Sequence, residues 1–117
     1  MRPLAILYGS QTGGAQEAAE SLGRQGRRRG FAVRVDAMDD YPISSLPDEP
    51  LVVYVASTTG DGEAPDNMAT FWRFMLRKSL PADALASNAF AVLGLGDSSY
   101  PKYNAAARRL RSRLVQL

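Results

Sequence analysis

The chain has 117 residues, enough for one domain around a single hydrophobic core and too few for a second domain. Its apolar share of 45% and charged share of 22% are those of an ordinary globular protein and exclude wholesale disorder. The net charge is only +2. Because cysteine and histidine are absent, we expect no disulfide, no thiolate metal site, no Cys or Ser nucleophile paired with His and no imidazole catalysis.

The first half of the chain predicts strand, helix and strand in alternation. "PLAILYG", 3–9, is a continuous apolar run that indicates a strand covered on both faces. Small or apolar residues then recur with helical spacing at 15, 18, 19, 22 and 26, and Gly30 is typical of a helix C-terminus. "FAVRV", 31–35, alternates around Arg34 and predicts an outer strand.

The second half repeats this pattern after a turn-rich stretch. "LVVYVAS", 51–57, is rich in β-branched residues and predicts a central strand. Asp66 is a candidate N-cap for a helix, "NAFAVLGLG" at 88–96 predicts a fourth strand, and a final helix follows. Strands that alternate with helices favour an α/β fold with a parallel sheet and right-handed crossovers.

No stretch of the sequence predicts a membrane partner. The longest apolar runs, 51–56 and 89–95, are too short to cross a bilayer, and the first residues lack the core and cleavage site of a signal peptide. We therefore expect a cytoplasmic protein.

Three loops rich in glycine and hydroxyl groups follow the first, third and fourth predicted strands: "GSQTGGA", "STTGDGEAPDN" and "GLGDSSYPKYN". Parallel strands bring their C-terminal ends to one edge, where open α/β sheets bind ligands. In the first loop the hydroxyls of Ser10 and Thr12 can donate to a phosphate, while Gly13 and Gly14 let main-chain amides approach it. An ordinary tight turn between strand and helix is the alternative.

Other ligand motifs do not fit these loops. A P-loop needs a lysine where Ala15 stands, and the dinucleotide fingerprint G-x-G-x-x-G does not match "GSQTGG". In "DGEAPD", Pro65 and Asp66 occupy places where a calcium loop needs a ligand and a glycine. The sequence predicts no metal site and no catalytic residue.

Taken in this order and at these intervals, the three loops resemble those that bind FMN in the flavodoxin-like domain of diflavin reductases. "PDNMATFWRFMLRKSLP" and "FAVLGLGDSSYPKYN" are most similar to the NADPH-dependent diflavin oxidoreductases that serve cytosolic iron–sulfur assembly. The resemblance covers nearly the whole chain and implies a flavodoxin-like three-layer sandwich. Its implied function is the relay of single electrons from FAD to an iron–sulfur acceptor, with the FAD and NADPH module and that acceptor as partners.

Carried over to this sequence, the resemblance assigns FMN binding to three groups of residues. They are Ser10, Gln11, Thr12, Gly13, Gly14 and Ala15; Ser57, Thr58, Thr59 and Gly60; and Leu95, Gly96, Asp97, Ser98, Ser99, Tyr100, Pro101, Lys102, Tyr103 and Asn104.

Three of these positions have particular roles in relatives. Tyr100 matches an aromatic residue that stacks on the isoalloxazine ring; the alternative is a surface tyrosine over a turn. Gly60 matches a peptide that can turn its carbonyl toward the flavin N5, a motion that glycine permits. Thr59 stands where many relatives have an aromatic residue that covers the face of the ring opposite Tyr100. The smaller threonine would leave that face less covered.

The resemblance also makes an expectation for the C-terminal end. The flavodoxin-like fold has five strands in the order 2-1-3-4-5, whereas this sequence predicts only four, in the order 2-1-3-4. We expect residues 1–117 to form an FMN-binding domain that is incomplete at its C-terminus, without the FAD and NADPH modules. The fourth strand, apolar at Phe90, Val92 and Leu93, would then be an uncovered edge.

The charged residues suggest a docking face. Seven acidic residues are expected near the flavin: Asp36, Asp39, Asp40, Asp61, Glu63, Asp66 and Asp97. Four arginines end the first helix at the opposite pole: Arg24, Arg27, Arg28 and Arg29. This dipole could steer a basic partner to the flavin; the alternative is that both sets are simply solvated.

Two other functions stay open. The chain could be a flavin-free fragment that acts only as an interaction module. It could also bind nucleic acid through its arginines, but exposed aromatic residues between them and any reading motif are lacking. We therefore expect no nucleic-acid partner.

Overall fold

The computed structural model describes residues 2–9, 13–57, 71, 73 and 89–95. Strands β1 (Pro3–Gly9), β2 (Ala32–Ala37), β3 (Leu51–Ser57) and β4 (Ala89–Leu95) form one parallel sheet in the order β2-β1-β3-β4. The predicted α/β class, the order 2-1-3-4 and the central place of β3 are confirmed. That residues 1–117 form a single domain stays a prediction.

Helix α1 (Gly14–Arg28) covers one face of the sheet. Ala15 and Ala19 are fully buried on it and pack with Leu4 and Ile6 of β1 and Val55 of β3. The predicted apolar stripe is thus confirmed, and Gly23 is buried against β2 beside the predicted Gly26. A Cβ atom placed on Gly23 would lie only 2.8 Å from Val35 Cγ2, and one placed on Gly26 would lie 3.0 Å from Val33 Cγ2. Two glycines therefore let this helix lie close to the edge strand.

Strand β2 is shifted from the prediction of 31–35. The turn after α1 occupies one residue more than expected, because the N–H of Gly30 donates to Arg27 O and that of Phe31 donates to Gly26 O. At its other end β2 continues through Ala37, which pairs with Tyr8 of β1. The hydrogen-bonded register with the longer β1 sets both limits.

The turn-rich segment between β2 and β3 contains two short 3-10 helices, Met38–Asp40 and Ile43–Asp48. The chain here passes over β1, and a right-handed crossover then lies on the face opposite α1. Met38, Tyr41 and Leu46 are its buried side chains. This layer is made without an α-helix among the residues that the structure describes between β2 and β3.

Tyr54 lies at the centre of this second face and is fully buried. Its ring centroid is 6.1 Å from that of Phe71, which is 2% exposed. The Tyr54 hydroxyl has no hydrogen-bond partner among the described residues. In contrast, the hydroxyl of Tyr41 donates to Glu49 Oε1 at 2.8 Å, and the guanidinium of Arg34 lies 5.0 Å from the Tyr41 ring centroid.

Strand β4 is the sheet edge beyond β3, as predicted. Phe90 pairs with Val52, and Leu93 pairs with Val55, so their side chains lie on opposite faces of the sheet. Phe90 is 37% exposed and Leu93 is 41% exposed, which makes this edge apolar on both faces. The helix predicted from Asp66 and the final helix lie outside the described residues, except that Phe71 and Arg73 are helical.

Candidate functional site

The C-terminal ends of β1, β3 and β4 lie side by side. Gly9 pairs with Ala56, and Ser57 pairs with Leu95. Ser57 Oγ also donates to the Gly9 carbonyl at 3.3 Å. The three predicted ligand loops therefore start from adjacent points of one sheet edge, as the sequence analysis expected.

The first of these loops leads into the N-terminus of α1. Gly13 precedes the helix in the left-handed conformation, with φ of +95°, which glycine adopts without strain. The first intrahelical bond runs from the Glu17 N–H to Gly13 O at 3.0 Å. The amides of Gly14, Ala15 and Gln16 come before this bond and point out of the helix end.

The described residues leave room at this helix end. None of their side chains caps α1, and a Cβ atom placed on Gly14 would meet none of their atoms within 4 Å. Amides at a helix N-terminus attract an anion through their N–H groups and through the helix dipole. Ala15 contributes only its amide, because its methyl group is fully buried in the core.

Most of the predicted site residues lie outside the described residues. They are Ser10, Gln11, Thr12, Thr58, Thr59, Gly60, Gly96, Asp97, Ser98, Ser99, Tyr100, Pro101, Lys102, Tyr103 and Asn104. The structure brings together Gly13, Gly14, Ala15, Ser57 and the backbone of Leu95 at one edge. The roles of all these residues in FMN binding stay predictions.

Tyr8 precedes the first loop and faces the α1 side of the sheet. Burial, followed by the carboxylates of Glu20, Asp40 and Asp36, raises the pKa of its hydroxyl. Tyr8 also lines a groove of about 410 Å³, together with Glu20, Arg24, Arg27 and Val35. The residues that line the groove belong to β1, α1 and β2.

Asp39 makes a long-range contact that the sequence did not predict. Its Oδ1 accepts a hydrogen bond of 2.7 Å from the backbone N–H of Phe71. The two residues are 32 positions apart, so no local sequence pattern signals this contact. It links the crossover after β2 to the helical residues that follow the second predicted loop.

The predicted acidic docking face is altered by these contacts. Asp36 lies within β2 instead of following it, and it forms a salt bridge with Arg34. Asp39 is partly buried and holds the Phe71 amide. Of the three predicted acidic residues that the structure describes, only Asp40 is exposed. The arginines at the end of α1 are exposed at the opposite pole, as predicted.

The described part of the chain also lacks a membrane-spanning helix and a cluster of metal-ligating side chains. None of its helices combines the length and the apolar character needed to cross a membrane. No group of three or more acidic, histidine or cysteine side chains in the same residues could hold a metal ion.

Curated relatives of high identity are NADPH-dependent diflavin oxidoreductases. The chain is 59% identical over 112 residues to "NADPH-dependent diflavin oxidoreductase 1" of Danio rerio, with 96% of this chain and 19% of that protein aligned. It is 56% identical over 114 residues to the protein of the same name in Bos taurus, with 97% of this chain and 19% of that protein aligned. The chain thus spans about a fifth of the length of these relatives.

Solved flavodoxins share the fold. The crystal structure of oxidised flavodoxin 1 from Bacillus cereus superposes with a TM-score of 0.77 at 29% identity, covering 96% of this chain and 74% of that protein. The sequence model of the flavodoxin family matches residues 6–117. Together with the parallel order β2-β1-β3-β4, this match shows that the chain belongs to the flavodoxin family.

Proposed function

We propose that this chain binds FMN at the C-terminal edge of its sheet. Residues 10–15 would hold the phosphate, and residues 57–60 and 95–104 would hold the isoalloxazine ring. The observation that carries the proposal is the N-terminus of α1, where the amides of Gly14, Ala15 and Gln16 precede the first intrahelical hydrogen bond and no described atom lies within 4 Å of a Cβ atom placed on Gly14. It lies beside the ends of β3 and β4, from which the other two loops start.

The donors at this edge fit a phosphate dianion. The amides of Gly14, Ala15 and Gln16 are fixed by the helix, so they need little reorganisation to bind an anion. The left-handed Gly13 and the absence of a Cβ atom at both glycines let the anion approach the main chain. Neutral amides and the predicted hydroxyls of Ser10 and Thr12 can therefore bind the phosphate without lysine or arginine.

Bound FMN supplies one-electron transfer, a chemistry that the amino acids themselves lack. The protein's part is to bind the flavin, orient it and exclude water from one face of its ring. We propose that Tyr100 covers that face and that the Gly60 carbonyl turns toward N5. Neither role needs an acid, a base or a nucleophile.

We further propose that the chain is the FMN-binding part of an NADPH-dependent diflavin oxidoreductase. It would accept electrons from a FAD and NADPH module and pass them to an iron–sulfur protein of cytosolic iron–sulfur assembly. The 59% identity to the Danio rerio relative supports the reductase assignment. The stretch "FAVLGLGDSSYPKYN" resembles the diflavin oxidoreductases that serve cytosolic iron–sulfur assembly, which supports the proposed acceptor and a cytoplasmic location.

The test is a titration of the purified protein with FMN, followed by quenching of flavin fluorescence. We expect saturation at one FMN per chain. Thr12→Val should weaken FMN binding by about ten- to hundredfold, since a hydrogen bond to a charged group contributes roughly 1.5–3 kcal/mol. Thr12→Ser keeps the hydroxyl and should bind almost as the wild type does.

Riboflavin, which lacks the phosphate, separates the two halves of the site. Its affinity should be the same for the wild type and for Thr12→Val. If the folded wild-type protein takes up neither flavin, FMN binding by this chain is wrong. Equal loss of both flavins in Thr12→Val would place Thr12 outside the phosphate site.

A further inference from the structure

The groove between α1 and the edge of the sheet has no part in the proposed FMN site. It has a volume of about 410 Å³ and is lined by Tyr8 of β1, by Glu20, Arg24 and Arg27 of α1, and by Val35 of β2. All five side chains belong to the described part of the chain. None of them is among the predicted FMN-binding residues, so the proposed function gives this groove no role.

A buried glycine brings two cations together at one end of the groove. Nη1 of Arg27 lies 3.9 Å from the position that a Cβ atom on Gly23 would occupy. Helical side chains lean toward the N-terminus of their helix, so this guanidinium lies about one turn before its own Cα atom. Arg24 is three residues before Arg27 and shares its helix face. The two guanidinium groups therefore line the same end of the groove.

These two arginines have no anionic partner in the described part of the chain. Neither guanidinium forms a salt bridge or a hydrogen bond there. Glu20 stands four residues before Arg24 and could pair with it, but its Oε1 accepts a hydrogen bond of 3.2 Å from Gln16 Nε2. The sequence has no acidic residue between Glu20 and Asp36. Both arginines are exposed, so their charges are available to a ligand.

The other end of the groove is apolar and negative. Tyr8 and Val35 are partly buried and pack against the core beneath α1. Burial, followed by the carboxylates of Glu20, Asp40 and Asp36, raises the pKa of the Tyr8 hydroxyl, which therefore stays protonated at neutral pH. A ligand of this groove needs carboxylates for the arginines and an N–H donor for Glu20.

An extended acidic peptide meets both requirements. The Cβ atoms of residues three apart on a helix are about 5–6 Å apart, and side chains on one face of an extended chain repeat every 6.5–7 Å or so, roughly the same distance. Carboxylates two residues apart in a peptide can thus reach Arg24 and Arg27 together, while a peptide N–H donates to Glu20. A phosphodiester chain carries a negative charge at every step and is repelled by Glu20, which favours a peptide over a nucleic acid.

We propose that this groove is a docking site for an extended acidic segment of a partner protein. Two carboxylates of that segment, spaced two residues apart, bind the guanidinium groups of Arg24 and Arg27, and Glu20 accepts a hydrogen bond from its backbone. The interaction needs no flavin, so it goes beyond FMN binding and is tested independently of it.

The experiment is a fluorescence-anisotropy titration of the full 117-residue chain, without flavin, against a labelled peptide in which four glutamates alternate with threonines. At about 0.15 M salt, exposed charges more than about 8 Å apart are largely screened. We expect saturation at one peptide per chain. The same peptide with glutamines in place of the glutamates should not bind.

Substitutions locate the peptide. Arg24→Gln and Arg27→Gln should each weaken binding by about threefold, and the double variant by about tenfold, as expected for exposed ion pairs. Arg29→Gln is the matched control, because it removes the same charge from an exposed residue that does not line the groove. It should stay within about 1.5-fold of the wild type, since residues two apart on a helix do not face each other. Circular dichroism checks that each variant is folded.

NMR of the arginine Nε–Hε groups provides a readout on the wild type, which needs no variant to fold. The glutamate peptide should shift the signals of Arg24 and Arg27 and leave that of Arg29 in place.

Four results would overturn the proposal. The first is that the folded wild type does not bind the glutamate peptide, and the second is that the glutamine peptide binds equally well. The third is an equal loss in Arg29→Gln, which would assign the binding to net charge. The fourth is an oligothymidylate that displaces the peptide and loses affinity in the same two variants, which would assign the groove to nucleic acid.

Discussion

Replacement of Tyr54 by phenylalanine should stabilise the protein. Tyr54 is fully buried, and its hydroxyl has no hydrogen-bond partner in the described part of the chain. A buried hydroxyl without a partner costs roughly 1–3 kcal/mol of stability. Tyr54→Phe keeps the ring and its contact with Phe71. It leaves a void of about one oxygen atom, which lowers the stability by only about 0.3 kcal/mol. We expect a net gain of about 1 kcal/mol, or a rise in Tm of about 4 °C for a chain of this length.

The assay is urea and thermal unfolding followed by far-UV circular dichroism. Tyr41→Phe is the matched control, because the same oxygen is removed from a buried tyrosine that donates to Glu49 at 2.8 Å. It should lower the free energy of unfolding by about 1–2 kcal/mol. Tyr54→Phe should therefore raise the free energy of unfolding, and Tyr41→Phe should lower it. A loss of stability in Tyr54→Phe equal to that of the control would refute the reasoning.

The pH dependence of stability provides a second measurement on the same variant. Burial raises the pKa of Tyr54, and burial together with the hydrogen bond to Glu49 raises the pKa of Tyr41. The folded protein then holds the two hydroxyl protons more tightly than the unfolded chain, in which tyrosine titrates at about pH 10. Stability from this source is complete below about pH 10 and is lost at up to about 1.4 kcal/mol per pH unit and per tyrosine above it. Tyr54→Phe should make the alkaline loss less steep.

Two further substitutions test the packing of α1 and the tie between the loops. Gly23→Ala should lower Tm by a few degrees, because the added methyl group would lie 2.8 Å from Val35 Cγ2. The cost of overpacking, about 1–3 kcal/mol, outweighs the gain in helix propensity of about 1 kcal/mol. Gln25→Ala, exposed on the same helix, should change Tm little, and an increase in Tm for Gly23→Ala would contradict the close approach. Ser57→Ala removes the hydrogen bond to the Gly9 carbonyl and should lower the free energy of unfolding in urea by about 0.5–1 kcal/mol, whereas an unchanged value would mean that the two strands are not tied there.

The elements of the sheet could be predicted where local pattern and tertiary contacts agree. "PLAILYG" and "LVVYVAS" are continuous apolar runs, and the structure has β1 and β3 over those residues. The limits of β2 could not be predicted, because the turn bonds of Gly30 and Phe31 and the pairing of Ala37 are set by the rest of the fold.

The candidate site shows the same division. The convergence of three loops on one edge follows from the parallel order of the strands, and it was predicted because strands that alternate with helices indicate a parallel sheet. The bond from Phe71 to Asp39 was not, because it joins residues 32 positions apart. Local sequence predicted an N-cap at Asp66, which lies outside the described residues. A carboxylate that serves a distant backbone amide carries no signal in its own neighbourhood.

The two faces of the sheet are covered by layers of different construction. On one face, α1 is a continuous helix of 15 residues whose small side chains sit directly on the strands. On the other, the segment between β2 and β3 has only two short 3-10 helices, held by a few buried side chains such as Met38 and Leu46. Short helices share few cooperative backbone bonds, so this layer can open locally at a lower free energy than α1. Among the described residues, local opening should therefore be more frequent between β2 and β3 than in α1, and proteases that act on such openings should cut this segment before α1.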